Sequence, residues 1–527
     1  MQVPSMPFKV LALAPFRPQE ENPWRHEPIR IDKMNVDRGI EDLGLSLYIP
    51  LPKNLCASGG LSIRCQKLKD FQPDRLIETH PFLKNLLEAR NFAEGAGAQG
   101  LSEEEVYGRL RGWPDLPSAI KIERPKPKTA RSSSPVDDIL KMVALPEESA
   151  SPTAAAQSFS AQVDSILQQI LGHIFASEEF KNLESVWLGL RTFLRQGKVD
   201  GAITLEIVPV SRETLEETLT HLTAVLIENL PSLVLLDLPL DNSPRSLELL
   251  EKIALFAETL MVPTIFWITP KFFHLNSWQE LPKLPFIPHY LEEQAFAKWR
   301  RLQGTPSAKW IAATCNRFLC RYPYGPENKP GLVRFEEREG LWSSPVWAAG
   351  SVISQSVLKN GWPTRFTEWP NTRLENLALH SLDGDKFLPT EVFLSEDRID
   401  QFIRGGIIPL VATYNKDMAF IPSETTVAGA SLSYLLLLSR ITQFLFWCKE
   451  NFEKDLEGAD IEKNLTKAFF LFWEKTGHPH PQNLSIFASK PKPEKPIIVR
   501  IVIEPSRQIL PSGEKVELEL NWSGEPG

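Results

Sequence analysis

The sequence predicts a mixed α/β fold (α+β towards its ends), and three observations carry that expectation. Strand-like and helix-like runs alternate from Ala202 to Thr269, a long one-faced amphipathic helix precedes them, and short β runs stand near both ends of the chain. Alternation of this kind implies a sheet with crossover helices, because parallel neighbours cannot be joined by a tight turn.

Each element follows from local pattern. Phe8–Leu13 is a short apolar β run, and Pro28–Asp32 and Leu61–Gln66 are further strand candidates. Pro81–Arg90 and Ser102–Arg111 read as helices, the second opened by Ser102 with Glu105 three residues on, a capping-box spacing. Residues 125–158 turn to Pro, Ser, Ala and charge, with one apolar island from Ile139 to Leu145, and read as a linker. Phe159, Val163, Ile166, Leu167, Ile170, Leu171, Ile174 and Phe175 then recur at helical spacing along one face. Glu178–Arg195 continues as a helix. The alternation follows: strand Ala202–Pro209, helix Arg212–Glu228, strand Ser232–Leu238, helix Pro244–Leu260, strand Thr264–Thr269. After a Pro-Lys spacer, Ile497–Ile503 and Val516–Trp522 form a final hairpin. A lone hairpin is marginal in water, so a third strand is required, from a neighbouring copy or from the same chain. The expected organisation is a first domain over 1–124, the linker 125–158, a second domain over 159–490 and the hairpin element 491–527.

Composition narrows the function. Lys+Arg number 58 against 66 Asp+Glu, a net charge of −8, which excludes a strongly basic nucleic-acid binder. Pro is enriched, at 44 of 527 residues, so stiff irregular connections are expected in place of a helical solenoid. Five cysteines without a CxxC pair argue against a disulfide framework and against structural zinc. The first residues lack the basic flank and long apolar core of a signal peptide. Leu432–Cys448, the most apolar stretch, is broken by Arg440 and Gln443 and reads as a buried helix. The expectation is a soluble cytoplasmic protein with no membrane insertion.

Catalytic chemistry finds no foothold. Gly95–Gly100 spells GxGxxG, but a dinucleotide loop needs a preceding strand and here a helix precedes it. It reads as a small-residue loop, and a nucleotide-binding α/β enzyme is the rival that rests on it. His478 and His480 form a close pair without Cys or carboxylate neighbours. Cys315 and Cys320 flank Arg317 in an apolar run and read as buried thiols. Glu336, Glu337 and Glu339 read as a solvated loop, and Asp383-Gly384-Asp385 as a turn. No catalytic, cofactor-binding or metal-binding residue is expected.

Two sets of motifs do carry a resemblance. Pro7–Leu11, Pro28–Asp32 and a signature at Leu61, Leu68, Asp70, Phe71, Pro73, Asp74 and Leu76 resemble the small sheath subunit of type VI secretion systems. Ala14-Pro15-Phe16 stands where that family has Gly-Asp-Phe. Phe180, Leu183, Glu184, Trp187, Gly189, Leu190 and Arg191 resemble the large sheath subunit, with Leu188 in place of its Arg. Trp278-Gln279-Glu280-Leu281-Pro282, Arg317 through Tyr322-Pro323-Tyr324-Gly325, Leu341-Trp342, Gly361-Trp362, Pro389-Thr390-Glu391, Pro409 and Leu432–Tyr434 follow in that family's order. The stretch from Glu206 to Ser243 is shorter than the large subunit's.

The resemblance implies a contractile-tail-sheath-like fold, a small-subunit domain followed by a large-subunit domain with its C-terminal hairpin. It implies a structural protomer without cofactors that polymerises around an inner tube and drives it out by contraction. A sheath-like component of another injection system, contractile or not, is the alternative within that class. The partners implied are further copies in a helical polymer, the inner tube protein, baseplate components and a AAA+ unfoldase reading Ile166, Leu167 and Ile170. Strand exchange between protomers, also implied, would use Phe8–Leu13 and the hairpin residues Val499, Ile501, Leu518 and Leu520. Carrying both subunits in one chain fixes their ratio and raises their effective concentration.

Overall fold

The computed structural model describes residues 6–18, 23–96, 99, 101–122, 154–453, 456, 458–478, 480–489 and 497–522. It divides into two compact units that do not follow chain order. The first comprises Met1–Gly39, Leu183–Tyr322 and Gly340–Gly527; the second comprises Ile40–Asn182 and Pro323–Glu339. The bounds expected from composition, at 124 and 159, run along the chain, whereas each unit gathers distant segments. Most of the linker lies outside the described residues, as do Gly97 and Gly100 of the GxGxxG.

The first unit is built on a seven-stranded sheet. Numbered in chain order, its strands are β1 (Phe8–Ala14), β2 (Ile29–Ile31), β5 (Ile203–Pro209), β6 (Leu233–Leu240), β7 (Thr264–Ile268), β8 (Ile311–Cys315) and β9 (Ile407–Pro409), with β3 and β4 in the other unit. The spatial order is β9-β8-β7-β6-β1-β5-β2. All neighbours are parallel except β2, which runs antiparallel to β5. β1 pairs with β5 from Phe8 opposite Ile203 to Ala14 opposite Pro209, and with β6 from Val10 opposite Leu233 to Leu13 opposite Leu236. Its sequence explains the position: six of seven residues are apolar, as a strand covered on both faces requires. Phe8–Leu13 is therefore no exchange strand. Both its ladders are filled by its own chain.

The expected crossover helices are present as α5 (Leu215–Leu226) and α6 (Pro244–Leu260), following α4 (Glu178–Gln196). Ser243 caps α6 by accepting from the Ser246 backbone N–H, and Pro244 occupies the first turn. Helix α7 (Pro345–Asn360) is buried along nearly its whole length, from Pro345 to Val357. Its serines turn inward without orphaned hydroxyls at two positions: Ser351 Oγ donates to Trp347 O and Ser356 Oγ to Trp362 O, each at 2.7 Å. Helix α8 (Leu432–Asn451) is the buried helix expected around Arg440. Asp383-Gly384-Asp385 makes the expected turn, with Gly384 at φ 54° between paired strands His380–Asp383 and Lys386–Leu388.

The final hairpin finds its third strand at home. β10 (Asn483–Ser489), β11 (Ile498–Glu504) and β12 (Val516–Asn521) form an antiparallel sheet in that order. Val499 lies opposite Leu520, Ile501 opposite Leu518 and Ile503 opposite Val516. Helix α9 (Gly458–Lys475) leads into β10.

The second unit holds the hairpin β3 (Leu45–Pro50)–β4 (Gly60–Cys65) and helices α1 (Pro81–Gly95), α2 (Glu103–Arg111) and α3 (Ala154–Ala176), with α3 packed on α1. The capping box of α2 forms as its spacing predicts: Glu105 N donates to Ser102 Oγ, and Ser102 N to Glu105 Oε2.

Candidate functional site

In the first unit the motif residues Trp187 and Gly189 meet Phe16, Ser343, Trp347 and Asp237 in one buried knot. Trp187, on α4, is fully buried and its indole Nε1 donates to Phe16 O at 3.0 Å, with the two rings 5.3 Å apart. Gly189, half a turn on, has no room for a side chain: a Cβ there would sit 2.4 Å from both Ser343 Oγ and Trp347 Cδ1. Trp347 Nε1 in turn donates to Asp237 Oδ2 at 2.7 Å. Burial pushes the Asp237 carboxyl up from its ordinary value, against the pull of the Trp347 donor and the Arg317 guanidinium. Leu190 is fully buried, and Trp278 lies edge-on to Phe402 with centroids 6.2 Å apart.

Two forked ion pairs frame this knot. Arg321 Nε and Nη2 reach Glu184 Oε1 and Oε2 at 2.7 and 3.0 Å, and Arg317 Nη2 and Nε reach Glu391 Oε1 and Oε2 at 2.7 and 3.0 Å. Planar two-point pairing is what satisfies a carboxylate with little water, and the Glu184 side chain is only 3% exposed. Sequence reasoning placed Glu184, Arg317, Arg321 and Glu391 in motifs but gave no partner to any of them.

The signature of the first motif set acts in the second unit. Asp70 Oδ2 accepts from Gln66 N and Lys67 N at 2.8 and 2.9 Å, closing the turn before Phe71, whose ring lies 5.5 Å from Phe180. Pro73 opens the short helix Pro73–Thr79. Asp74 then reaches far along the chain: its Oδ2 accepts from Gly331 N at 2.8 Å and its Oδ1 from Leu332 N at 3.0 Å. Leu332 O takes Arg90 Nη1 at 2.9 Å, and the same nitrogen meets Asp164 Oδ1 at 2.7 Å. Pro323 and Gly325 open this same loop, where Gly325 N donates to Asn328 O at 3.2 Å and Tyr324 N to Glu337 Oε2 at 2.9 Å. The acidic run expected to be merely solvated is thus partly engaged: Glu337 ties the loop and Glu339 pairs with Lys181 at 3.2 Å.

Ile166, Leu167 and Ile170 are at most 4% exposed within α3. They pack the second unit's core and present no free face to an unfoldase. Val499 and Ile501 lie on the central strand β11 and are fully buried, whereas Leu518 and Leu520 sit half-buried on the outer strand β12. Among the described residues, β10 and β12 are each paired on one side only. An open groove of about 820 Å³ runs between α9 and β10, lined by Phe470, Leu484, Ile486 and Phe487 with Lys463 and Lys467. Phe487 is 60% exposed.

Chemistry is otherwise sparse. Among the described residues no group of three or more His, Cys, Asp or Glu is placed to hold a metal, and no helix is long and apolar enough to cross a membrane. His478 Nε2 meets Asn360 O, while His480 lies against Phe470. Burial pushes the Cys320 thiol up to about 12, and the Cys315 and Cys448 thiols rise too, which removes their nucleophilic form at neutral pH.

Residues 157–230 and 231–428, more than half of the chain, match the family model described as EvpB/VC_A0108, tail sheath N-terminal domain. The chain belongs to this tail sheath family. Residues 2–94 match a second model, described as Type VI secretion system, VipA, VC_A0107 or Hcp2, so small- and large-subunit sheath domains stand in one polypeptide. The chain is 25% identical over 411 residues to the type VI secretion system sheath protein TssC1 of Pseudomonas aeruginosa strain PAO1, covering 68% of this chain and 82% of that one. Among solved structures it resembles the sheath tail protein Lin1278 of Listeria innocua (12% identity, 62% of each chain, TM-score 0.34). It also resembles the helical sheath of the anti-feeding prophage in its contracted state (11% identity, 64% of this chain and 79% of that one, TM-score 0.35).

Laid on the fold, the two family matches interleave. β1 and β2 fall in the small-subunit match, while β5, β6, β7 and β8 fall in the large-subunit match, yet all belong to one sheet. Asp74 belongs to the first match and its partners Gly331 and Leu332 to the second. This sheath protein is a single polypeptide in which each family's residues complete the other's fold.

Proposed function

We propose that the chain is the protomer of a type VI secretion sheath that polymerises in the cytoplasm around an inner tube, attaches to a baseplate and ejects the tube by contracting. The observation that carries the polymer is the C-terminal sheet, whose outer strands β10 and β12 each keep one ladder unfilled among the described residues. Main-chain donors and acceptors at such an edge accept a further strand, and Leu518 and Leu520 on β12 give the alternating apolar positions that set its register. Val499 and Ile501 sit beside that edge on the central strand β11, whose two ladders are both filled.

Electron microscopy of the purified full chain, compared with Phe487→Lys, tests the edge. Phe487 is exposed on β10, so the substitution should leave the melting temperature within a degree or two while a charge on the edge strand blocks pairing. The expected result is tubes from the native chain and dispersed protomers from the variant. Tubes of normal length from Phe487→Lys would remove β10 from the assembly surface.

A further inference from the structure

The sheath reading leaves two polar residues in the middle of α8, Arg440 and Gln443, unused. Arg440 is 7% exposed, and among the described residues its Nε and Nη1 have no hydrogen-bond partner. Its Nη2 donates to Met6 O at 2.9 Å. Burial alone pulls the guanidinium down to about 10, with no carboxylate opposing it. Gln443, one turn on, donates from Nε2 to Pro231 O at 2.6 Å and accepts from Ser232 Oγ at 3.0 Å. Ser232 N donates to Lys9 O at 2.7 Å, and Lys9 N reaches Ser232 Oγ at 3.4 Å. Lys9 Nζ donates to Asn229 O at 3.2 Å and lies 3.6 Å from Glu206 Oε1. All of these contacts gather where β1 and β6 begin.

β1 cannot set its own register strongly. Phe8, Val10, Ala12 and Ala14 share one face, and Lys9, Leu11 and Leu13 the other. A slip of two residues returns each apolar side chain to its own face, so hydrophobic burial discriminates weakly between the two pairings. The slip is costliest for the polar residue, because Lys9 would then occupy the site of Leu11, which is fully buried. A buried cation without a carboxylate is a poor stabiliser, and apolar residues of similar volume in such sites are often neutral or better. What a buried polar group can supply instead is a choice between alternatives, as a single polar core position does in a coiled coil.

We propose that Lys9, Arg440 and Gln443 are a register lock, positioning residues that admit the first strand between β5 and β6 in one alignment only. Helix α8 holds the chain just before β1 through Met6 and the chain just before β6 through Pro231 and Ser232. Lys9 ties the first turn of the strand to the same Ser232. At the far end Trp187 holds Phe16 O, so the strand is measured between two fixed points.

Hydrogen exchange with mass spectrometry on full-length Lys9→Met/Arg440→Met, set beside its thermal melt, tests the lock. The melt should stay equal or rise. Amides of residues 8–14 should nonetheless lose protection by about tenfold or more and exchange in two populations, while β3 and β4 stay as in the native chain. Full-length Arg440→Lys, which keeps one donor for Met6 O, should restore a single protected population when paired with native Lys9. A lower melt with one protected population overturns the lock, because the residues are then ordinary packing. Unchanged protection overturns it as well. If the double variant does not fold, Arg440→Met alone is read the same way, and its failure to fold would make the guanidinium a stabiliser and end the proposal.

Discussion

Strands β1 and β12 are both short β runs near an end of the chain, seven and six residues long, and they meet opposite fates. β1 lies inside a seven-stranded, mostly parallel sheet with both ladders filled, while β12 forms the outer edge of a three-stranded antiparallel one. Their sequences already differ in the decisive respect. FKVLALA is apolar on both faces, which suits a strand covered above and below. VELELN alternates, with Glu517 and Glu519 exposed and Val516 buried, which suits a strand with one wet face. Position near a terminus says little about exchange between protomers. The face pattern says more.

The largest expected effect opposes the two strands directly. Leu11→Asp places a carboxylate at a fully buried site inside the sheet. The cost should be about 4 kcal/mol or more, enough to leave little soluble folded protein. Leu520→Asp puts the same group on the half-buried edge strand and should cost about 1 kcal/mol while disrupting tubes. Circular dichroism melts and soluble yield compare them. A folded Leu11→Asp protein with a native melt would mean β1 is not held in the centre of the sheet.

The same contrast shows how much of the molecule was legible in its sequence. Every helix and strand from Phe159 to Thr269 is found close to its expected place, because periodicity and capping are local properties. The hairpin Ile498–Asn521 is likewise found. Strand β10 was not marked: NLSIFAS lies between Pro481 and Pro491, but Phe487 breaks its apolar alternation and the run is only partly buried. The joining of β1 to β5 and β6 was equally invisible, for about two hundred residues separate the partners and nothing local names them. The motif residues were found as words without grammar: Asp74 was quoted from a signature, but its hold on Gly331 and Leu332 exists only once the chain has folded. Proline at 73 and the absence of space at Gly189 explain why those two positions carry their residues.

A smaller effect sharpens the account of the buried side of β1. Asp237 stands on β6, the neighbouring strand, and burial raises its carboxyl above 3.8. A raised acid binds its proton more tightly in the folded state than in the unfolded one, so stability falls as pH rises. This group's contribution is complete below 3.8 and is lost as pH climbs through its folded-state value. Asp237→Asn keeps an acceptor for the Trp347 indole and removes the titration. Urea midpoints followed from acid to neutral pH should therefore decline less steeply in the variant than in the native chain. Parallel declines would show that Asp237 titrates as it does when unfolded.

The smallest effect is expected from breaking the chain itself. Cleavage within 125–153 should give fragments of about 16 and about 44 kDa, in proportion to the whole chain's 59.6 kDa, because the segment's sequence is poor in apolar residues. The smaller fragment keeps β1, whose partners β5 and β6 are in the larger one. It also keeps Asp74, bonded to Gly331 and Leu332, and Lys121, whose backbone N and O are both held by the Gln162 side-chain amide at 2.8 and 3.1 Å. Dissociation would strip a central strand from its sheet and expose two ladders of unpaired backbone groups, a cost far above the entropy that the covalent link saves. The nicked protein should thus elute from gel filtration as one species and melt within about 2 °C of the intact chain, since a change below 1 kcal/mol moves a protein of this size no further. If the fragments part instead, β1 leaves its sheet without unfolding the rest. The strand at the centre would then be no more firmly held than the one at the edge.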